Sequence, residues 1–240
     1  FLGLMMYFKP GNSAGEKYFY GAAFLIDAFA VLLTGVRGSV LGTVIGLIIF
    51  GFLYSYSFGS QKLKKLTVGF FILVIVVAGI LYSLRNTEFV KQSHYLSRYA
   101  DLSPQSFTVQ TRFWAWQAGF NGWNDSIKNI FLGSGPEMFN VPFSKHFNPK
   151  FFRGIGSETL FDRAHNQFLE ILFTMGLIGF MAYVLIFIRA FGILKKMNDT
   201  AENKVFKLGL ISVLVAYMIH NFFIFDTSAN YLVFFLVLGF

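Results

Sequence analysis

Apolar residues run along the chain in long blocks separated by short polar stretches. Five blocks approach the roughly 20 residues that a helix needs to cross the hydrocarbon of a bilayer. They are Phe19–Val36, Val40–Phe58, Leu66–Leu84, Gln167–Arg189 and Leu208–Phe225. Two shorter blocks, Phe1–Phe8 and Tyr231–Phe240, read as partial spans. The pattern predicts an all-α polytopic membrane protein with about five full and two partial transmembrane helices, plus a large extracytoplasmic loop with short helices. The expected segments are transmembrane helices over 1–84 with an external turn at Arg37, a loop over 85–164, and C-terminal transmembrane helices over 165–240. All three are read as parts of a single membrane domain. No block has the basic start and small-residue cleavage site of a signal peptide, and no long-period repeat is visible. The chain opens on Phe1, and its last ten residues, YLVFFLVLGF, stop inside an apolar block. A fragment of a longer chain is therefore expected.

Composition narrows the class. Of the 240 residues, 55% are hydrophobic, 20% aromatic and only 13% charged, and 33 are Phe. Soluble domains carry about 25% charged residues. A soluble enzyme of this size could not hide so much apolar surface, and a disordered chain would not contain it. With no cysteine, disulfide scaffolds, thiolate catalysis and Cys-ligated metals are excluded.

Charge then sets orientation. Lys62, Lys64 and Lys65 follow the second full block, and Lys195, Lys196, Lys204 and Lys207 follow the fourth. Short loops rich in Lys and Arg stay cytoplasmic. That leaves outside the turn at Arg37, the segment from about Arg85 to Ala164 and the turn Asp226–Asn230. The nine cations of the long segment do not break the rule, which governs loops shorter than about 60 residues. The net charge of +8 is thereby explained without nucleic acid.

The long segment has internal order. In Thr108–Trp123, the residues Phe113, Trp116, Phe120 and Trp123 share one helical face, expected at the membrane interface. Arg112 stands at the start of that face. The run NIFLGSGPEMF follows, with Gly133, Gly135 and Pro136 in a tight bend whose backbone N–H groups could approach a phosphate. Taken alone, such a run is more often only a turn. Ser144–Asp162 reads as an irregular loop or lid. Ala164-His165-Asn166 opens the fourth full span, with Asp162 a helix cap.

Three pieces in order carry a family resemblance: LLTGVRGSVLG at Leu32–Gly42, TRFWAW…NIFLGSGPEMF, and AHNQFLEILFTMGLIGF at Ala164–Phe180. The later HNFFIFDTSANYLVFFLVLG also fits. Together they resemble the O-antigen ligase and polymerase superfamily of bacterial envelope glycosyltransferases, over Phe19 to Phe240. Val36 departs from the small polar residue common before the arginine. The resemblance implies a multi-pass protein of the bacterial inner membrane, with the loop 85–164 on the periplasmic side. It implies transfer of a glycan from undecaprenyl pyrophosphate to a hydroxyl of lipid A core, another glycan or a protein. The transfer would be metal-independent and inverting, with no cofactor beyond the lipid-linked donor.

The chemistry calls for particular side chains. A departing pyrophosphate develops negative charge, which Arg stabilises with a fixed charge and a bidentate fork. Arg37 and Arg112 match. An acceptor hydroxyl needs a base, and His165 suits, with an ordinary pKa of about 6.5. The expected catalytic residues are His165, Arg112 and Arg37. The expected substrate-binding residues are Arg37, Arg112, Asn166, Gly133 and Gly135, Asn166 being the more natural helix-start or orienting residue. Glu170 is read as structural, Arg153 and Arg163 as solvated cations, and His94 and His146 as solvent-exposed. Intramembrane Asp27 and His220 support a rival class, a lipid-glycan transporter or flippase, although transporters place their sites at the midplane between related repeats. Interhelical hydrogen bonding is the simpler account of His220-Asn221. A non-enzymatic assembly partner is a third class. Ligase, polymerase and protein O-glycosylation share these residues.

Overall fold

The computed structural model describes residues 1–93, 106–154 and 159–239. Every regular element among them is helical. His94 lies outside the described residues. The chain divides into two compact units, Phe1–Leu102 with Phe191–His220, and Ser103–Ala190 with Asn221–Phe240.

Unit one holds α1 (Leu2–Phe8), α2 (Ala14–Leu33), α3 (Arg37–Phe58), α4 (Gln61–Ser83) and α5 (Glu88–Gln92). It also holds the end of α9 (Gln167–Lys196) and nearly all of α10 (Ala201–Asn221). A capping box starts α2: the Ser13 hydroxyl accepts the Glu16 N–H at 3.3 Å, and the Glu16 carboxylate accepts the Ser13 N–H at 2.7 Å. The helices meet through small residues. A side chain added to Gly42 or Gly46 would strike Ala216 and, at Gly46, Ser212. One added to Gly51 would strike Thr67. Small residues let backbones approach where apolar surroundings supply no hydrophobic drive between helices. The outer faces stay apolar, as along Phe71, Ile72, Leu73, Ile75 and Val76 of α4.

Among the described residues, four helices are long and apolar enough to cross a membrane: α3, α4, α9 and α10. The block Phe19–Val36 had been expected as a fifth. Its residues 19–33 lie in α2, which ends at Leu33 and begins five residues before the block, at the capping box. Every 18-residue stretch of α2 therefore takes in Glu16, Lys17 and Asp27. Arg37, expected in a turn, is the first helical residue of α3. The turn is Thr34–Gly35, with Gly35 at φ 64°. The lysines expected in the second loop form the first turns of α4, and Lys204 and Lys207 lie in α10.

Unit two is built on α6 (Phe107–Trp123), α7 (Ile127–Leu132), α8 (Asn140–Lys145), a 3-10 turn at Pro149–Phe151, most of α9, and α11 (Ser228–Gly239). Its core is Ala115, Ala118, Phe139, Phe143, Phe151, Phe161, Ala164 and Phe173. Here α6 packs inward through Thr111, Ala115, Ala118, Gly119 and Gly122, with the ring of Phe173 against Gly119 and Pro142 against Gly122. The aromatic face expected on this helix is divided: Phe113 and Phe120 are 56% and 43% exposed, whereas Trp116 and Trp123 pack against the core. The stretch expected as a loose lid supplies Phe151 and Phe161 to the core.

Candidate functional site

The site begins where α9 begins. The Asn166 side-chain oxygen accepts the N–H groups of Phe168 and Leu169 at 3.0 and 3.1 Å. Asn166 is thus the N-cap, the role expected of Asp162. Buried, with its oxygen committed to the helix, Asn166 sets the direction of the chain at its neighbour. That neighbour, His165, has φ 52°, a left-handed conformation that side chains rarely adopt.

The backbone of Ala164 explains how that conformation is held. Its N–H donates to the Glu170 carboxylate at 2.7 Å, and its carbonyl accepts the Trp116 indole N–H at 2.7 Å. Glu170 reaches back over the start of the helix, much as the acid of a capping box does. With the residue before His165 held through both its peptide groups, the turn stays tight. The imidazole lies between two rings, 5.4 Å from Phe161 and stacked on Phe225 at 5.5 Å.

Arg163, read from sequence as a solvated cation, is instead half-buried and paired. It lies 3.1 Å from Glu137 and 3.5 Å from Glu170, and its guanidinium is 5.5 Å from the Phe225 ring. Burial opposes its charge, but the hydrogen bond to Glu137 and the negative charge of Glu170 prevail and raise its pKa. Arg153 is also engaged, with its side chain 3.3 Å from Gln110 and its guanidinium over Phe107.

Arg112 is half-buried with its Nε inside the structure. It precedes Trp116 by one turn, so the two share a face of α6. The bond from Trp116 to Ala164 brings that face against the turn of His165. In unit two Arg163 and His165 thus flank Ala164, and Arg112 lies one helical turn before the Trp116 that bonds to it. Arg37 belongs to unit one, at the head of α3, where the helix dipole adds to its positive charge.

Gly133 and Gly135 have a different role from the one expected. The long helix α9 breaks at Gly176, with φ 65° and ψ −169°. A break frees carbonyls in the preceding turn. The N–H groups of Ser134 and Gly135 donate to the carbonyls of Phe173 and Thr174 at 3.1 and 2.8 Å. Gly133 lies so close to Thr174, and Gly176 to Phe131, that a side chain on either would strike backbone. The two N–H groups serve the broken helix and are not aimed at a phosphate.

Beneath the turn lies a buried polar network that the sequence did not announce. The Gln167 side-chain oxygen accepts the Asp226 N–H at 2.7 Å, and its amide donates to the Tyr231 hydroxyl at 2.6 Å. The Asn221 amide donates to Tyr183 at 3.1 Å and to the Asp226 carboxylate at 3.0 Å. The network fixes the chain on either side of Phe225, the ring stacked on His165. In unit one, His220 sits 3.1 Å from the Ser39 hydroxyl, an interhelical contact, and Asp27 is exposed on α2. His146, expected in solvent, holds Asp125 at 2.9 Å.

The sequence matches the family described as O-antigen ligase over residues 22–184, about two-thirds of the chain. That span includes Arg37, Arg112, Gly133, Gly135, His165 and Asn166. Among curated proteins no match is found.

Proposed function

This chain belongs to the O-antigen ligase family, and we propose that it transfers a glycan from undecaprenyl pyrophosphate to an acceptor hydroxyl. It is a multi-pass membrane protein with a glycosyltransferase-type role in O-antigen assembly. In the proposed reaction His165 takes the proton of the acceptor hydroxyl. The freed oxygen bonds to the anomeric carbon, the bond from that carbon to the pyrophosphate breaks, and the configuration inverts. Arg112 and Arg37 stabilise the negative charge that develops on the leaving pyrophosphate. These cations do the work a metal would otherwise do, so the proposed reaction is metal-independent and uses no cofactor. Inverting transfer of this kind would take place at the periplasmic face of the inner membrane, with the loop 85–164 on that side. The acceptor is lipid A core, a second lipid-linked glycan or a protein hydroxyl.

One observation carries the reading: His165 is held in a left-handed turn by hydrogen bonds to the N–H and the carbonyl of Ala164, with Arg163 beside the turn and Arg112 one helical turn from Trp116. A histidine serving only to pack would need no such restraint. The transporter reading draws less support, because His220 is engaged with Ser39 and Asp27 lies on an exposed face. The test changes His165 to Ala in the full-length protein and reads surface glycan on a gel. The ladder is expected to disappear, and a normal ladder at equal protein level would overturn the assignment. A deletion strain then separates the acceptors. Accumulated lipid-linked polymer with none attached marks a ligase, and attachment of single repeats marks a polymerase.

A further inference from the structure

The short helix α7 turns apolar side chains outward, with Ile127 76%, Phe131 48% and Leu132 56% exposed. Its chain is nevertheless pinned to α9 at a definable depth. The partners of that contact are Phe173, Thr174 and Gly176. Phe173 and Thr174 close the first segment of α9, about 9–11 Å from its first residue at ~1.5 Å per residue, and Gly176 is the break itself. Between Glu170 and Arg189 the chain carries no charge on either side of that break, and the stretch Ile171–Ile188 approaches the roughly 20 apolar residues that a crossing needs. The contact with α7 falls inside that stretch. Nearby on α9, Met175 and Ile178 are exposed and apolar, so the outward face of α7 continues a lipid-facing surface.

From this depth we infer that α7 is immersed in the bilayer, in the leaflet on the Gln167 side, and does not stand in water above it. Its polar groups suit that place, because backbone in hydrocarbon must find partners within the protein. Ser126 caps the helix by accepting the Asn129 N–H at 3.1 Å, and Gly133 N–H closes it on the Asn129 carbonyl at 2.9 Å. The Asn129 amide donates to the Gly122 carbonyl at 2.9 Å, and the Trp123 indole donates to the Ile130 carbonyl at 3.2 Å. The exposed Lys128 has a stem long enough to carry its ammonium to the head groups. A few residues on, Glu137 pairs with Arg163, so the lipid-seated segment is tied to the turn of His165. The inference needs only that α9 crosses the membrane and stands whether or not His165 is a base.

These 240 residues hold no cysteine, so a single one introduced among them, in a protein whose remaining cysteines, where present, are changed to Ser, reports one position. Single variants Phe131→Cys, Ile127→Cys, Ile178→Cys and Lys145→Cys are made in the whole protein. Each is labelled with a nitroxide in vesicles of phosphatidylethanolamine and phosphatidylglycerol. Collision rates with oxygen, which concentrates in hydrocarbon, and with a nickel chelate, which stays in water, are compared. Labels at 131 and 127 are expected to match 178, with an oxygen-to-nickel ratio severalfold above that at 145. A ratio equal to that at 145 overturns the inference. Protection from both reagents, as under a protein partner or a second copy, overturns it as well. Ile127→Cys keeps the test decisive if the change at 131 prevents folding.

Discussion

The two units fill their interiors by opposite means. In unit one, α3 meets its neighbours through Gly42, Gly46 and Gly51, and, Phe50 apart, its large side chains stay half-buried or exposed. In unit two, phenylalanines from α8, the 3-10 turn and the chain before α9 converge on a single aromatic core. The difference follows from the surroundings. Lipid tails are as apolar as Leu, so helices immersed in them gain nothing by hiding Phe and much by close backbone contact. The segment between α5 and α9 has no helix long and apolar enough to cross among its described residues, and it holds its shape by burying its rings. Unit two is where a fixed site is needed, and a close-packed aromatic core supplies the rigidity.

Truncating a ring in each unit tests this contrast most sharply. Phe143→Ala removes a fully buried ring from the core of unit two. It is expected to lower stability by about 3–5 kcal/mol. The matching change, Phe71→Ala on the exposed face of α4, is expected to stay within about 0.5 kcal/mol. Unfolding measured in detergent micelles checks both, and equal losses would end the comparison. The converse change, Gly42→Leu, forces a side chain into the backbone of Ala216. It is expected to cost about 1–3 kcal/mol as overpacking, with little change in the packing of unit two. Loss of the Trp fluorescence of α6 in that variant would count against independent packing.

The site is more finely balanced than either interior. Glu170→Ala leaves the buried Ala164 N–H without its acceptor, at a cost of about 1–3 kcal/mol. Trp116→Phe removes the second grip and is expected to cost about 1 kcal/mol. In both variants surface glycan should fall at unchanged protein level, because His165 loses its fixed orientation. Glu170→Gln, which can still accept the N–H, is expected to recover more stability than Glu170→Ala. If the alanine variant transferred normally, Glu170 would be a packing residue only.

Much of this was legible in the chain. Blocks of about 20 apolar residues identify spanning helices, because hydrocarbon leaves the backbone few alternatives. The capping signal Ser13-Ala-Gly-Glu16 is also present in the sequence but was passed over by the reading of apolar blocks, and it places the start of α2 five residues before its block. The break in α9 was not legible. Gly176 sits among apolar residues that propagate a helix, and only the close approach of Phe131 from far along the chain shows why a left-handed residue is needed there. For the same reason the N–H groups of Ser134 and Gly135 looked available to a phosphate until their acceptors on α9 were seen. Local periodicity could assign the residue type at position 165. It could not assign the roles of Glu170 and Trp116, which depend on a turn that tertiary contacts create.

The smallest expected effect lies at the exposed edge of unit two, where Asp125 holds Lys145 at 2.8 Å and His146 at 2.9 Å. The hydrogen bond from Lys145, then that from His146, lowers the Asp125 pKa below the ordinary carboxylate range. A lowered carboxylate pKa stabilises the fold above the unfolded value, and the contribution is lost as pH falls through the lowered one. Asp125→Asn should therefore differ slightly from the unmodified protein at neutral pH and converge with it in acid. Full exposure to solvent keeps the difference small, and added salt should shrink it further. Unfolding curves at several pH values check the sign. A difference that grew on acidification would mean that Asp125 is held by its surroundings in a protonated form, in conflict with the hydrogen bonds from Lys145 and His146.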